Sequence, residues 1–579
     1  MNKIRLTSIA IFFTALSVSS YAKAEQGFVH AEGQQIVDGN NQPLILRGMG
    51  LGGWMLQEGY MLELGPIGTQ TKIKQAFSEL IGPEKTQNFY DAWLKNFITK
   101  RDIDAMANWG YNSVRLPMHF NLFTLPVEQE PVKGEQTWLA KGFDMVDELL
   151  AWSKANNIYL ILDLHAAPGG QGNDINISDR DISLPSLWQS DENRNKTIAL
   201  WKELARRYKH EPMIAAYDII NEPNWGFESV DDKHGCNETS NKPLDSLLKD
   251  ITRAIRSEDT QHMIIIEGNC WGNNYQGISP DWDDNMAISF HKYWNDTTTD
   301  SIQTHLAMRE KYNKPVWLGE SGENSNQWFS DAIGLAESHG IGWAFWPLKK
   351  IRLNNPLQVP ANEGYLDVVN YLLNNGEKPS SEHAYKALMQ LTQDVKYENN
   401  IKHPDVADAM LIQPHNKKAR AYKDNVITNK TSIAAVNYDL GGQGVGYYDE
   451  LASNVSTRPG GKRWNQGMTY RNDGVDITYL ASEPVVNDFT HQEWMQYTVN
   501  AQQAGRYSLS IKYRAEDPKG QISVLINNQQ TASTKVTDSK GLEFATLNNI
   551  SLYEGTNTIR LLNSGKTPLT IVNLTFTRL

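Results

Sequence analysis

Two glutamates define the chemistry open to this sequence. Glu222 follows Asn221 at the end of Ala215–Ile220, a short run of apolar and β-type residues that Pro223 stops. Glu320 ends a second such run, Val316–Gly319. A run of this length bounded by Pro reads as a buried strand, and buried parallel strands carry their active sites at their carboxyl ends. Other runs end the same way. Ser113–Leu116 carries Arg115, Tyr159–Leu164 leads into His165, Met286–Phe290 into His291 and Tyr293, and Gly342–Phe345 into Trp346. One polar residue at a strand end is usually a satisfied loop contact, but this many on one rim amount to a site. A facing pair of carboxylates is what cleavage of a glycosidic bond requires. One protonates the leaving oxygen, while the other, charged, attacks or stabilises the anomeric carbon. A cation beside one of the two keeps that carboxylate ionised and pushes the shared proton onto the other. The rival use of His165, His291 and the glutamates is a metal site. No H-x-x-x-H or similar pairing supports it, so no metal is expected.

The elements that must position these residues alternate in type. Candidate strands are Leu44–Arg47, Ser113–Leu116, Tyr159–Leu164, Ala215–Ile220, Met263–Glu267, Met286–Phe290, Val316–Gly319 and Gly342–Phe345. Amphipathic stretches separate them, such as Thr99–Trp109, where Thr99 and Asp102 suit a capping box and Gly110 a helix stop. This alternation predicts an α/β fold of the (β/α)8 TIM-barrel type rather than an open nucleotide-binding sheet. No G-x-G-x-x-G loop opens a helix after the first strand.

At 579 residues the chain exceeds one ordinary core. With 40% hydrophobic residues and no later apolar stretch of membrane-spanning length, it reads as soluble. A net charge of −12 without a long basic block disfavours nucleic acid and anionic membrane surfaces. The 17 Trp and 24 Tyr offer flat faces to sugar rings, or simply fill cores. Lys3 and Arg5, the apolar run Ile9–Val18 and Ala22-Lys23-Ala24 form a secretory signal over residues 1–24, with an uncleaved anchor as the alternative. Export implies an oxidising compartment. Both cysteines, Cys236 and Cys270, follow the signal, in the loops after the fourth and fifth strands. Neighbouring strands bring those loops together, so a disulfide is expected, with two free buried thiols as the alternative.

The motifs LGGW (Leu51–Trp54), VRLP (Val114–Pro117), LDLHAAPGGQ (Leu162–Gln171), INEPN (Ile220–Asn224), HKYW (His291–Trp294), LGES (Leu318–Ser321) and AFWP (Ala344–Pro347) resemble glycoside hydrolase family 5 over residues 25–395. The resemblance implies a TIM barrel and hydrolysis with retention of configuration. It casts Glu222 as acid/base and Glu320 as nucleophile, with Arg115 and Tyr293 orienting the nucleophile. It also implies that Asn221 binds the substrate 2-hydroxyl, that His165 and His291 line the mouth, and that Trp346 stacks under the sugar before the scissile bond. The GMGLGGWM…EGYM opening and the HAAPGG loop are closer to the β-1,3-glucan-cleaving branch than to typical cellulases. Trp54, Trp188, Trp225, Trp271 and Trp294 fall in loops near the expected mouth, as sugar platforms or as packing.

Residues 396–430 read as barrel end and linker. From 431 to 579, short alternating runs between Gly and Asn turns predict an all-β jelly-roll sandwich. AAVNYD (Ala434–Asp439), GVGYYD (Gly444–Asp449), YRNDGVDI (Tyr470–Ile477), EWMQYTV (Glu493–Val499) and AGRYSLSIKYRA (Ala504–Ala515) resemble carbohydrate-binding module family 6. By that resemblance Tyr470 and Asn573 are sugar contacts. The family's calcium-holding acidic residue is replaced by Val436, a second one by Thr575, and the loop that often supplies a stacking Trp by Lys540-Gly541-Leu542. A structural calcium is therefore doubtful, and a purely stabilising sandwich is the alternative. Deleting the sandwich is expected to spare hydrolysis of short soluble substrates.

The combined expectation is a secreted, monomeric, cofactor-free retaining hydrolase of a β-glucan polysaccharide or oligosaccharide. It binds no nucleic acid and has no membrane span once the signal is removed. The alternatives are a β-mannan-cleaving enzyme of the same mechanism and a non-catalytic polysaccharide-binding protein on a barrel scaffold.

Overall fold

The computed structural model describes residues 27–455 and 463–579 other than Glu516, Pro518 and Asp538. The expected signal segment, residues 1–24, lies outside the described residues. Eight parallel strands close into a barrel in sequence order. They are β1 (Arg47–Gly50), β2 (Ser113–His119), β3 (Tyr159–Ala166), β4 (Ile214–Asp218), β5 (Met263–Ile266), β6 (Met286–Tyr293), β7 (Val316–Gly322) and β8 (Trp343–Trp346). β8 pairs with both β1 and β7, which closes the ring. Strands β2, β4, β5 and β7 are buried along their whole length, as expected for a parallel sheet covered on both faces. A short N-terminal hairpin, His30–Glu32 with Gln35–Val37, sits beside the barrel, and Val29 and Ile36 share a core cluster with Ile161, Ala216, Ile265 and Trp317 from four strands.

The expected first strand, Leu44–Arg47, is displaced: β1 begins at Arg47 and runs through Gly48 and Gly50. Glycine disguised it, because Gly weakens strand propensity. The structure explains why glycine is there. A Cβ on Gly50 or Gly52 would stand 2.5 Å from the Trp346 indole. The helix Lys100–Trp109 begins after Thr99, whose backbone N–H donates to Asp102 Oδ2 (2.8 Å), and ends at Gly110 in the left-handed region (φ 108°).

The C-terminal region is a sandwich of two mostly antiparallel sheets. One orders the strands Val426–Ile427, Trp494–Ala501, Gly555–Asn563, Gln521–Ile526 and Gln529–Lys535. The other orders Ile477–Leu480, Glu483–Phe489, Leu569–Arg578, Gly505–Ala515 and Ser539–Leu552. Alternation is clean in Gly505–Ala515, where Tyr507, Leu509, Ile511, Tyr513 and Ala515 point into the core.

Residues 396–430 are not a free linker. Helix Pro404–Leu411 packs against Asn326–Ser338, the helix that follows β7. The sandwich docks onto this pair through buried polar groups. The Asn326 amide donates to Asp405 Oδ2 (2.8 Å) and to Asp473 Oδ1 (2.9 Å), and Asn472 donates from its backbone to Asp405 Oδ2 (2.9 Å). Asn472 Nδ2 also reaches the Asn324 carbonyl at 2.9 Å, and Arg471 pairs with Asp473 at 2.6 Å. Buried polar groups hydrogen-bonded to one another across the seam are costly to separate, so the domains form one unit rather than a tethered pair. No helix among the described residues is long and apolar enough to cross a membrane.

Candidate active site

The strand ends deliver the expected side chains to one mouth. Glu222 lies just past β4 with a left-handed backbone (φ 43°), a strained conformation for a residue with a Cβ. Its backbone N–H donates to Glu267 Oε2 at 2.7 Å. Glu320 sits in β7 with both oxygens engaged. Arg115 Nη1 donates to Oε2 at 2.9 Å, and the Tyr293 hydroxyl donates to Oε1 at 2.7 Å. Oxygens of Glu222 and Glu320 and a ring nitrogen of His291 all lie within 4.8 Å of one another.

Arg115, fully buried, is the hub of this site. Besides Glu320 it reaches Asp218 (Nε to Oδ2, 2.9 Å), Asp163 (3.2 Å), Glu267 (Nη2 to Oε1, 3.1 Å) and Asn221 (Nη2 to Oδ1, 2.7 Å). Burial alone would discharge a guanidinium, but Asp163, Asp218, Glu267 and Glu320 more than compensate and hold it charged. Burial pushes Asp163 and Asp218 well above the usual carboxylate range, against the pull of Arg115. Glu267 is held low instead: His291 and Arg115 outweigh its burial.

Burial, followed by the Glu320 charge, raises Glu222 to about 7, and His291 opposes both. His291 Nδ1 lies 2.6 Å from Glu222 Oε1 and its Nε2 lies 3.2 Å from Glu267 Oε1. Burial lowers His291, but Glu267, Glu222 and Glu320 together raise it well above an ordinary imidazole. The Glu222–His291–Glu320 trio is compact enough for a metal, and the close His291–Glu222 contact also lets it share a proton. His165 is the opposite case, since burial drives it down to about 3. Its Nδ1 faces Asp163 Oδ2 (2.8 Å), its Nε2 faces the Asn221 amide (3.3 Å), and its ring stacks 5.0 Å from Trp346 at 4°.

Glu222, Glu320, His165, His291, Tyr293 and Trp346 line a cavity of about 640 Å³ that also includes Glu58, Tyr60, Asp174, Trp271 and Trp294, while Arg115 and Asn221 lie fully buried behind it. Burial, then Glu320 and Glu222, hold the Glu58 carboxyl well above its usual range, so it enters the cavity as a neutral hydrogen-bond donor. Of the five loop tryptophans, Trp271 and Trp294 reach this cavity. Trp54 is core, its N–H on the Leu94 carbonyl (2.7 Å). Trp188 packs edge-on to Phe227, and Trp225 lies under Arg180.

Glu58, Asp163, Asp218 and Glu267 were not singled out from sequence. Glu267 had a signal: it ends the fifth expected strand, as Glu320 ends the seventh. Asp163 is two residues before His165 on the same strand face. Cys236 and Cys270 are bonded, with Cα atoms 4.7 Å apart. In the sandwich, the half-buried Tyr470 donates to Asn437 Oδ1 (2.7 Å) and faces Tyr422, while Asn573 pairs in register with Ala434 and Lys512. Val436 is fully buried in the core and the Thr575 hydroxyl is spent on Ser432 Oγ (3.0 Å), so neither position suits calcium.

Residues 72–350 match the family model Cellulase (glycosyl hydrolase family 5). A beta-xylosidase of Phanerodontia chrysosporium is 25% identical over 424 residues, 65% of this chain and 84% of the relative. Endoglucanase C of Acetivibrio thermocellus is 23% identical over 327 residues, covering 46% of this chain and 88% of the relative. A probable glucan 1,3-beta-glucosidase A of Aspergillus niger is 30% identical over 182 residues, covering 31% of this chain and 41% of the relative.

Proposed function

We propose that this chain, whose barrel is a glycosyl hydrolase family 5 domain and therefore a glycoside hydrolase, cleaves β-glucosidic bonds of a β-glucan by a two-glutamate double displacement. The observation that carries this reading is the carboxylate geometry. Glu222 and Glu320 oxygens within 4.8 Å suit direct attack rather than the ~6.5–9.5 Å gap that an intervening water needs.

In the first step the Glu320 carboxylate, aimed by Arg115 and Tyr293, attacks the anomeric carbon while protonated Glu222 gives its proton to the departing oxygen. In the second, water on the same face loses a proton to Glu222 and displaces Glu320, so two inversions give retention. Glu222 at about 7 can hold the proton near neutrality and take it back, as general acid–base work requires. Asn221 Nδ2, oriented by Arg115 and His165, is the donor toward the 2-hydroxyl, and Trp346, braced by His165, is the stacking floor. A β-linked glucose polymer is favoured because the glucan 1,3-beta-glucosidase and endoglucanase relatives are named for glucan cleavage. The signal-like N-terminus and the disulfide support export, and we assign the sandwich an accessory role in holding glucan.

The test is a polysaccharide panel with product sizing, and NMR of the first-formed anomer. Reducing sugar released from a β-glucan as the β-anomer is expected. First-formed α-anomer, or no product from any β-glucan, would refute the reading.

A further inference from the structure

We propose that the sandwich forms the far wall of a second sugar subsite, a groove between the domains that takes the continuation of a neutral β-glucan chain leaving the catalytic cavity. The inference rests on the glycosidase reading above and extends it. The groove measures about 530 Å³ and is contiguous with the cavity: Tyr60, Trp294 and Glu323 line both. Its barrel side adds Lys350 and Arg352, and its sandwich side supplies Asn454, Arg463, Trp464 and Met468.

The chemistry of these walls selects the occupant. Trp294 is 46% exposed although its N–H is fixed to the Glu323 carbonyl (3.0 Å), so an indole face is held open at the junction of cavity and groove. An exposed ring held in place is a platform for a pyranose, because its ordering cost is already met. The charges beyond it are paired across the wall: Lys350 with Glu323 at 3.3 Å, and Arg352 with Glu63. Paired charges present fixed donors and acceptors without a strong net field, which matches vicinal hydroxyls rather than an ionised ligand. Arg463, exposed at the solvent side of the groove, adds hydrogen-bond donors, and Met468 an adaptable apolar contact.

The sandwich wall is also held in position. Asn454 exchanges hydrogen bonds with Asn324 (Asn324 Nδ2 to the Asn454 carbonyl, 2.5 Å; Asn454 N–H to Asn324 Oδ1, 3.1 Å). The Trp464 N–H donates to Asn472 Oδ1 at 3.1 Å, so the groove shares the buried contacts that dock the domains. A wall fixed this way binds without ordering itself first.

The experiment compares the full chain with an Arg463→Ala/Met468→Ala double variant, which leaves the interdomain hydrogen bonds and every residue of the catalytic cavity intact. Calorimetric affinity and kcat/KM are measured for β-gluco-oligosaccharides of two and six sugars. Wild type should gain from the longer chain. The variant should lose about tenfold for six sugars and nothing for two, the size of effect expected from removing anchoring contacts. Equal values for variant and wild type at both lengths would overturn the subsite, and so would an equal fall at both. Length-dependent binding lost in the variant, with no turnover by either protein, would uphold the subsite and refute the hydrolase mechanism instead.

Discussion

His291→Asn should move the basic limb of the pH profile upward. Glu222 stands at about 7 because burial and Glu320 raise it while the His291 cation, 2.6 Å from Oε1, restrains it. Asn is neutral but keeps a hydrogen-bond donor near the carboxylate. A unit charge 4 Å away in a medium of effective dielectric ~20 is worth about 4 kcal/mol, close to three powers of ten in proton affinity. The retained donor and the water that fills the smaller side chain's space recover much of that. A tenfold change is the floor, placing the apparent value at ~8 or above. The sign is unambiguous: the acid must be protonated to act, so kcat/KM falls as pH rises through the Glu222 value. Removing a cation delays that fall to higher pH. The assay is kcat/KM on an unactivated β-glucan oligosaccharide across pH 5–10, a quantity that reports the free enzyme. A maximal rate lowered by His291→Asn is compatible with the reasoning, but a basic limb left at ~7 or moved to lower pH refutes it.

Four further outcomes test other contacts of the structure. Glu320→Gln and Glu222→Gln should each cut turnover of natural linkages by orders of magnitude, but only Glu222→Gln should keep rapid glycosylation by a substrate with a good leaving group. Added azide should then give that variant a β-glycosyl azide, and an α product would show that Glu320 is not the nucleophile. Asn326→Ala removes the donor shared by Asp405 and Asp473, and should destabilise the chain by ~3 kcal/mol in urea unfolding. For the same reason, truncation after Lys430 should now impair hydrolysis even of short substrates, because Asn326 lies six residues beyond Glu320; an unchanged barrel would refute this coupling. The Cys236–Cys270 bridge spans a separation of 34 residues, which chain entropy rates at about 3–4 kcal/mol. It adjoins Trp271 in the cavity, so reduction should raise KM before it unfolds the barrel, whereas a KM unchanged by reduction would separate the bridge from binding.

Much of this protein was legible one strand at a time. Short apolar runs ending in Arg115, His165, Asn221-Glu222, His291 and Glu320 announce a parallel barrel and its reactive rim, because strand period and strand-end chemistry are local properties of the chain. The displaced β1 marks the limit of that reading. Gly50, and Gly52 just beyond the strand, make room for Trp346, a partner some 300 residues away in sequence, and local propensity cannot register such a contact. The second carboxylate shell is a similar case. Glu267, Asp163 and Asp218 look like solvated strand-end acids until barrel closure turns them toward one guanidinium. Only then does burial decide which of them share protons and which stay charged.

The relation between the domains was decided entirely by tertiary structure. Asn324, Asn326, Asp405, Asn472 and Asp473 are the residue types of exposed turns, and the polar stretch from 396 to 430, with its YENN and NKKARAYK runs, reads as barrel end and linker. Composition records polarity but not what satisfies it. Polar groups in different segments become an interface only when the fold excludes water from between them. The chain's local patterns therefore specified a barrel, a sandwich and the glutamate pair, while long-range burial and charge raised Glu222 and His291 above their ordinary values and shaped the groove that the two domains enclose together.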